Sequence, residues 1–265
     1  MSVLSVDSIC QALSRIAPLR LAESWDNVGL LIGDRTRHVE KVMTCLTINP
    51  EVAQEAILQG VGLIVTHHPL PFRPVDRITC DTVTGRILWQ LIGSQIAVYS
   101  AHTAFDSAAE GINQNWAESL GLTAIRPIND PTAENELGSG RWGVLPEPMR
   151  PRDVIRHCAN LVAASTPPRG VGPLDHPITK VGFACGSGGS FVAQAARRGC
   201  QLLVTGEAAF HDCLLAESLG MALGLLGHFH SERKAMDRLA ERLAAEFPAL
   251  TVAASQSESD PIVVI

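Results

Sequence analysis

Two histidine–acid pairs with the same four-residue spacing, His102 with Asp106 and His228 with Glu232, occur in this chain of 265 residues, alongside adjacent His67 and His68 and the acid Glu207. These residue types point to metal chemistry. Neutral imidazole suits Zn, Fe, Ni or Cu, and carboxylate suits harder ions such as Mn or Mg. Three imidazoles and two carboxylates suffice for two cations, and a carboxylate has two oxygens with which to bridge them. Successive side chains of extended backbone face opposite ways, so His67 and His68 can each address a different ion. Pro69 favours the extended form at His68. Two ions held in this way would sit roughly 3.5–4 Å apart, as in two-metal hydrolases.

The elements that must position these residues repeat along the chain. EAILQGVGLIVTHHP and AVYSAHTAFD in the first half correspond to QAARRGCQLLVTGEA and LGLLGHFHSE in the second. In each copy a helix ends at glycine and an apolar strand ends in Val-Thr. Two polar residues follow, and after a further helix another strand leads to a histidine with an acid four positions on. Ligands of open α/β sheets bind beyond the carboxyl ends of strands. The repeat therefore predicts four strand ends converging, with His67, His68, His102, Asp106, Glu207, His228 and Glu232 gathered there.

Apolar runs predict strands over 28–33, 42–48, 61–66, 96–100, 141–145, 180–185, 201–205, 222–226 and 250–254, with 262–265 as a further one. Helical patterns fall over 49–59, 82–92, 110–120, 152–163, 190–198, 209–219 and 231–247. Asn49 serves as N-cap, Pro50 as first helical residue and Gly60 as stop. The alternation predicts an internally duplicated α/β fold of two intertwined lobes, with mixed sheets covered by helices. The first lobe spans 1–128, a Pro- and Gly-rich connector 129–179, and the second lobe 180–265. The Gly-rich turn Cys185–Gly189 lacks the Lys-Ser/Thr of a phosphate-binding loop and reads as a tight-packing turn. Trp25–Asn27 reads as structural. So do His38, His157 and His176, with His211 between surface and site support and His230 a neighbour of the site.

Composition narrows the class. Hydrophobic residues make up 46% and charged residues 18%, as in ordinary globular proteins. The net charge of −6 and pI near 5.8 disfavour nucleic acid as a partner. The start of the chain lacks the pattern of a signal peptide, and no apolar run is long enough to span a membrane. Seven scattered cysteines without a CxxC pair fit a reduced, cytoplasmic protein.

SWDNVGLLIGD, LIVTHHP, VYSAHTAFD, CGSGG, LLVTGEAAFHD and GHFHSE occur in this order between residues 24 and 232. Together they resemble the NGG-interacting-factor-like family, whose bacterial members are named GTP cyclohydrolase I type 2. The resemblance covers nearly the whole chain. It implies a duplicated α/β fold, a toroidal homohexamer built from trimers, and a dinuclear metal centre facing the inner cavity. Carried over by motif, His67, His68, Asp106, His228 and Glu232 are the metal ligands, with Glu232 as bridge. His102 and Glu207 lie beside the metals and are the candidates for moving protons. Two divalent ions per subunit are expected, and the donors do not choose among Zn, Fe, Mn, Ni and Mg. Ala104 and Phe105 replace the usual Asn and Leu, and GHFHSE replaces the commoner ending, changes that bear on pocket shape. The short connection from Arg126 to Lys180 leaves no room for the inserted domain of some relatives. The implied activity is metal-dependent hydrolysis of a small, nucleotide-like substrate. The alternative is a non-catalytic metal-binding hexameric scaffold or regulatory interaction protein.

Overall fold

The computed structural model of the chain describes residues 4–129 and 137–265. Residues 130–136 of the expected connector lie outside these. Among the described residues no helix is long and apolar enough to cross a membrane. The chain forms two compact units. One contains residues up to Phe105 together with Ala235–Ser259, and the other contains Asp106–Lys234 and Asp260–Ile265. Each unit holds one mixed sheet.

The first sheet comprises β1 (Gly29–Ile32), β2 (Lys41–Cys45), β3 (Leu63–Thr66), β4 (Ala97–Ser100) and β11 (Thr251–Ala254), in the order β1-β4-β3-β2-β11. All neighbours run parallel except β1, which pairs antiparallel with β4. Helices α2 (Pro50–Gln59) and α3 (Val83–Gly93) cover one face, burying Val52, Ala56, Ile87 and Leu91 against Met43, Ile64 and Val98. Each fully buried Val, Leu, Ile or Met side chain of this kind contributes about 1.5–3 kcal/mol. Helix α1 (Val6–Ile16) serves the other face, where the Ser14 and Tyr99 hydroxyls lie 3.4 Å apart. Val98 and Tyr99, adjacent on β4, point to opposite faces as strand geometry requires. The expected caps of α2 are present: the Asn49 side chain accepts from the Val52 N–H, and Gly60 ends the helix in the left-handed conformation.

The second sheet runs β5-β6-β8-β9-β10-β7, formed from β5 (Thr123–Arg126), β6 (Arg141–Met149), β7 (Arg169–Val171), β8 (Ile178–Ala184), β9 (Leu202–Thr205) and β10 (Ala222–Leu225). Strands β8, β9 and β10 are parallel, and the flanking strands are antiparallel. Helices α7 (Val192–Arg197) and α8 (Phe210–Ser218) pack Val192, Ala195 and Ala216 on one face. On the other, α5 (Ile112–Ser119) stacks Trp116 on Phe183 with ring centroids 4.4 Å apart. Ile155 of α6 (Pro151–Leu161) fills the space left by Gly224. The two sheets thus repeat one arrangement: three parallel strands joined by helices, with an antiparallel strand beyond the third.

Several elements depart from the sequence expectation. Helix α1 and strands β5 and β7 were not expected, and residues 262–265 form no strand. Strand β6 continues past Leu145 to Met149, through Pro146 and Pro148. Its pairing with β8 is irregular between Val144 and Met149, which is where proline is tolerated in a strand. Helix α9 (His228–Glu246) starts three residues earlier than expected, and a short helix α4 (His102–Ser107) follows β4. Both histidine–acid pairs therefore occupy a first helical turn, at i and i+4, where side chains lie on the same face.

Candidate metal centre

In the first unit the Val-Thr strand end sets the geometry. The backbone N–H groups of His67 and His68 donate to the carbonyls of Cys45 and Leu46, at 3.0 and 2.8 Å. The Thr66 hydroxyl shares its proton between the Leu46 and His68 carbonyls, at 3.2 and 3.1 Å. Ser100 Oγ donates to the His67 carbonyl at 2.7 Å. With its backbone latched in this way, the turn directs both rings toward His102. The ring centroids of His67 lie 5.1 Å from His68 and 5.2 Å from His102. One nitrogen from each of the three rings falls within 4.8 Å of the others, a group able to hold a metal ion. His68 Nδ1 lies 2.7 Å from Thr47 Oγ1, and His102 Nδ1 lies 2.8 Å from Asp26 Oδ1. Holding one ring nitrogen in a hydrogen bond is how metal-binding histidines are oriented. Burial raises the Asp26 carboxyl, but hydrogen bonds from His102 and Thr103 outweigh it and hold the group below its ordinary value. His102 has φ +30°, an uncommon backbone conformation for a residue with a Cβ.

In the second unit Thr205 repeats the latch. Its hydroxyl lies 3.2 Å from the Gly186 carbonyl and 3.5 Å from that of Glu207, and it accepts from the Gly188 N–H at 2.9 Å. Glu207 thus holds the place in this copy that His68 holds in the other. Its Oε1 accepts from Ser187 Oγ at 2.6 Å and from His228 Nδ1 at 2.9 Å. One turn along α9, Glu232 Oε2 lies 3.1 Å from His228 Nε2. Hydrogen bonding to Glu232 raises the His228 imidazole to about 9 against the opposing effect of burial, and Glu207 adds to the rise. Glu207 is in turn lowered by hydrogen bonds from Ser187 and His228. Cys185 Sγ donates to Asp106 Oδ1 at 3.1 Å. Burial first, and then Asp106 and Glu232, push this thiol well above its ordinary value, so it is protonated at neutral pH.

Glycine makes this packing feasible. A Cβ on Gly186, whose φ is +60°, would collide with the Glu232 carboxylate and lie 3.3 Å from His228 Nε2. A Cβ on Gly206 would meet Ser231 Oγ at 2.6 Å and His228 Cα at 2.9 Å. The CGSGG turn is thus a packing turn, and what it accommodates is the histidine–acid pair. Trp116 Nε1 donates to the Ser231 carbonyl at 2.7 Å, fixing the first turn of α9. Buried Arg141 donates to the carbonyls of Ser107 and Ala108 at 3.2 and 2.9 Å, tying down the chain just after Asp106. Asn113 donates to the Asp106 carbonyl and accepts from the Cys185 N–H, at 3.1 and 2.8 Å.

The first unit therefore brings His67, His68 and His102 together. The second brings Glu207, His228 and Glu232 together, with Asp106 bonded to Cys185, whose thiol also feels Glu232. His102, expected beside the metals as a proton carrier, stands among the donors of the first group. The remaining histidines play lesser parts. His38 Nδ1 bonds the Leu4 carbonyl at 2.8 Å, His157, His176 and His211 are exposed, and His230 contacts Ser165 and Asp260. Asp26, Ser187, Thr47 and Arg141 carry supporting contacts that no motif in the sequence marks. Asp26 lies in the conspicuous WDN triplet, but only its contact with His102 distinguishes it from a structural residue.

The donor chemistry suits a transition metal. Three clustered imidazoles provide neutral nitrogen ligands, and His228 with Glu232 provides a mixed nitrogen and oxygen pair. A family model described as Duf34/NIF3 (NGG1p interacting factor 3) matches residues 4–261. A Clostridium perfringens protein named GTP cyclohydrolase 1 type 2 homolog is 34% identical over 243 residues, covering 91% of each chain. The Schizosaccharomyces pombe Protein NIF3 homolog is 33% identical over 263 residues, covering 92% of each. The solved structure of a Bacillus cereus protein related to NIF3 matches with a TM-score of 0.91 over 100% of both chains at 23% identity, a likeness of fold. With a match that runs from the fourth residue to within a few of the last, the chain belongs to the Duf34/NIF3 family.

Proposed function

We propose that this protein is a dinuclear metal-dependent hydrolase of a small, nucleotide-like substrate, with His67, His68, Asp106, His228 and Glu232 holding two divalent ions and His102 beside them as a further nitrogen donor. The observation that carries this reading is the oriented imidazole cluster His67–His68–His102, matched in the other copy of the repeat by His228 braced between Glu207 and Glu232. Divalent ions in such a site supply Lewis acidity and make water nucleophilic near neutral pH. The chain's own residues do the rest. Thr47 and Asp26 orient imidazoles. Glu207, half-exposed and ionised, holds the His228 Nδ1–H and is placed to accept a proton. The Clostridium perfringens relative's name supports a purine nucleotide as the substrate class.

We further propose that the chain self-associates as a hexamer. Supporting this are apolar side chains left exposed on two corresponding helices: Trp89 and Ile92 on α3, and Phe210 and Leu214 on α8. Elemental analysis of the purified protein, followed by turnover assays with nucleotides and generic esters using the matched metal, tests the enzymatic reading. Turnover that depends on the metal and is lost in Glu232→Ala supports it. Absence of turnover with every reconstituted metal refutes it.

A further inference from the structure

The two histidines that open the helices after β4 and β10 are each held at Nδ1 by a carboxylate, Asp26 for His102 and Glu207 for His228. The carboxylates do not occupy equivalent places. Glu207 follows β9, where the other copy has His68, whereas Asp26 precedes β1. Unrelated segments of chain thus supply the same contact to equivalent rings, which a purely structural buried acid would not require. The Asp26 side chain is fully enclosed, at 0% exposure, and both its oxygens are committed. Oδ1 faces His102 Nδ1 at 2.8 Å, and Oδ2 accepts the Thr103 backbone N–H at 3.1 Å and the Thr103 hydroxyl. Trp25 and Phe72 set their rings edgewise to the imidazole, with centroids 6.0 and 6.2 Å away.

We propose that Asp26 is a positioning residue that holds His102 in the tautomer protonated at Nδ1, so that its unprotonated Nε2 is presented to the His67–His68 cluster. The consequence for function rests on the metal-centre reading above, and the tautomer itself does not. In Asp26→Asn the amide oxygen has to remain where Oδ2 was, because two donors of Thr103 point at it. The NH2 group then faces Nδ1 and drives the proton to Nε2, the failure known for a triad aspartate changed to asparagine.

Histidine-selective 15N labelling of the metal-free protein reads the tautomer through couplings from ring C–H to nitrogen, with His102→Gln assigning the signal. In the wild-type protein Nδ1–H is expected, and Nε2–H would overturn the inference even if Asp26→Asn failed to fold. In Asp26→Asn the proton moves to Nε2, and zinc affinity, measured by chelator competition, falls about 10- to 100-fold. Weaker zinc binding with the tautomer unchanged would overturn the positioning role. A changed tautomer with zinc affinity intact would uphold it, and would instead remove His102 from the metal centre.

Discussion

Substituting Gly186 by Ala separates the backbone demand of the Cys185–Gly189 turn from its steric demand. Gly186 and Gly60 share the left-handed conformation, with φ +60° and +65°. A Cβ at Gly60 meets nothing within 4 Å, whereas at Gly186 it strikes the Glu232 carboxylate. The left-handed conformation costs a residue with a Cβ about 1–2 kcal/mol. Part of that is offset by about 0.4–1 kcal/mol through the stiffer unfolded chain. Gly60→Ala is therefore expected to destabilise by about 1 kcal/mol. Gly186→Ala adds an overpacking cost of about 1–3 kcal/mol. At roughly 3 °C per kcal/mol for a chain of this size, the melting temperature falls by about 3 °C for Gly60→Ala and about 6–12 °C for Gly186→Ala. Because the added methyl displaces Glu232 beside His228 Nε2, Gly186→Ala also loses bound metal and Gly60→Ala does not. Differential scanning calorimetry and elemental analysis on the two variants read both effects. Equal melting temperatures, or full metal content in Gly186→Ala, would refute the claim that this turn is shaped around the histidine–acid pair.

The remaining predictions concern individual supports of the site. Glu232→Ala keeps the fold, because its neighbours on α9 still pack, yet lowers metal content per chain by elemental analysis; unchanged content would remove Glu232 from the ligands. His228 has a folded-state value near 9, above the ordinary 6.5, so in the metal-free protein its stabilising contribution is complete below about pH 6.5 and is lost as pH rises through 9. Melting temperature should accordingly fall between those pH values, and the fall should shrink in Glu207→Gln; an identical profile in that variant would contradict the assignment. Arg141→Met removes a buried guanidinium and leaves the Ser107 and Ala108 carbonyls without their donor, at a cost of about 3 kcal/mol or more in urea denaturation; a loss below 1 kcal/mol would show that the guanidinium is not what fixes the chain after Asp106.

Much of this arrangement was legible in the sequence because it is written twice. The Val-Thr strand ends and the two histidine–acid pairs repeat in order, and α2 announces its limits with Asn49, Pro50 and Gly60. Edge strands were harder to see. β7 has only three residues between proline-rich turns, and β5 and the end of β6 pair irregularly, so neither shows a clean alternation. The early start of α9 was hidden because GHFHSE, with glycine and two histidines, has little helical signature. The pairing of Asp26 with His102 bridges 76 residues of sequence, so no local pattern reveals it. Arg141 likewise reads as an ordinary surface charge until the carbonyls it serves are seen.

The threonine latch has a consequence for how such a protein can diversify. Thr66 and Thr205 grip the residue two positions downstream by its carbonyl oxygen, a group that every amino acid possesses. The scaffold is therefore indifferent to which side chain it displays there. One copy exhibits a nitrogen base at that spot, the other an acid, on the same backbone. Halves of a common shape can thus differ at their tips without a change of frame, and exchanges at positions 68 and 207 should alter reactivity far more than foldedness.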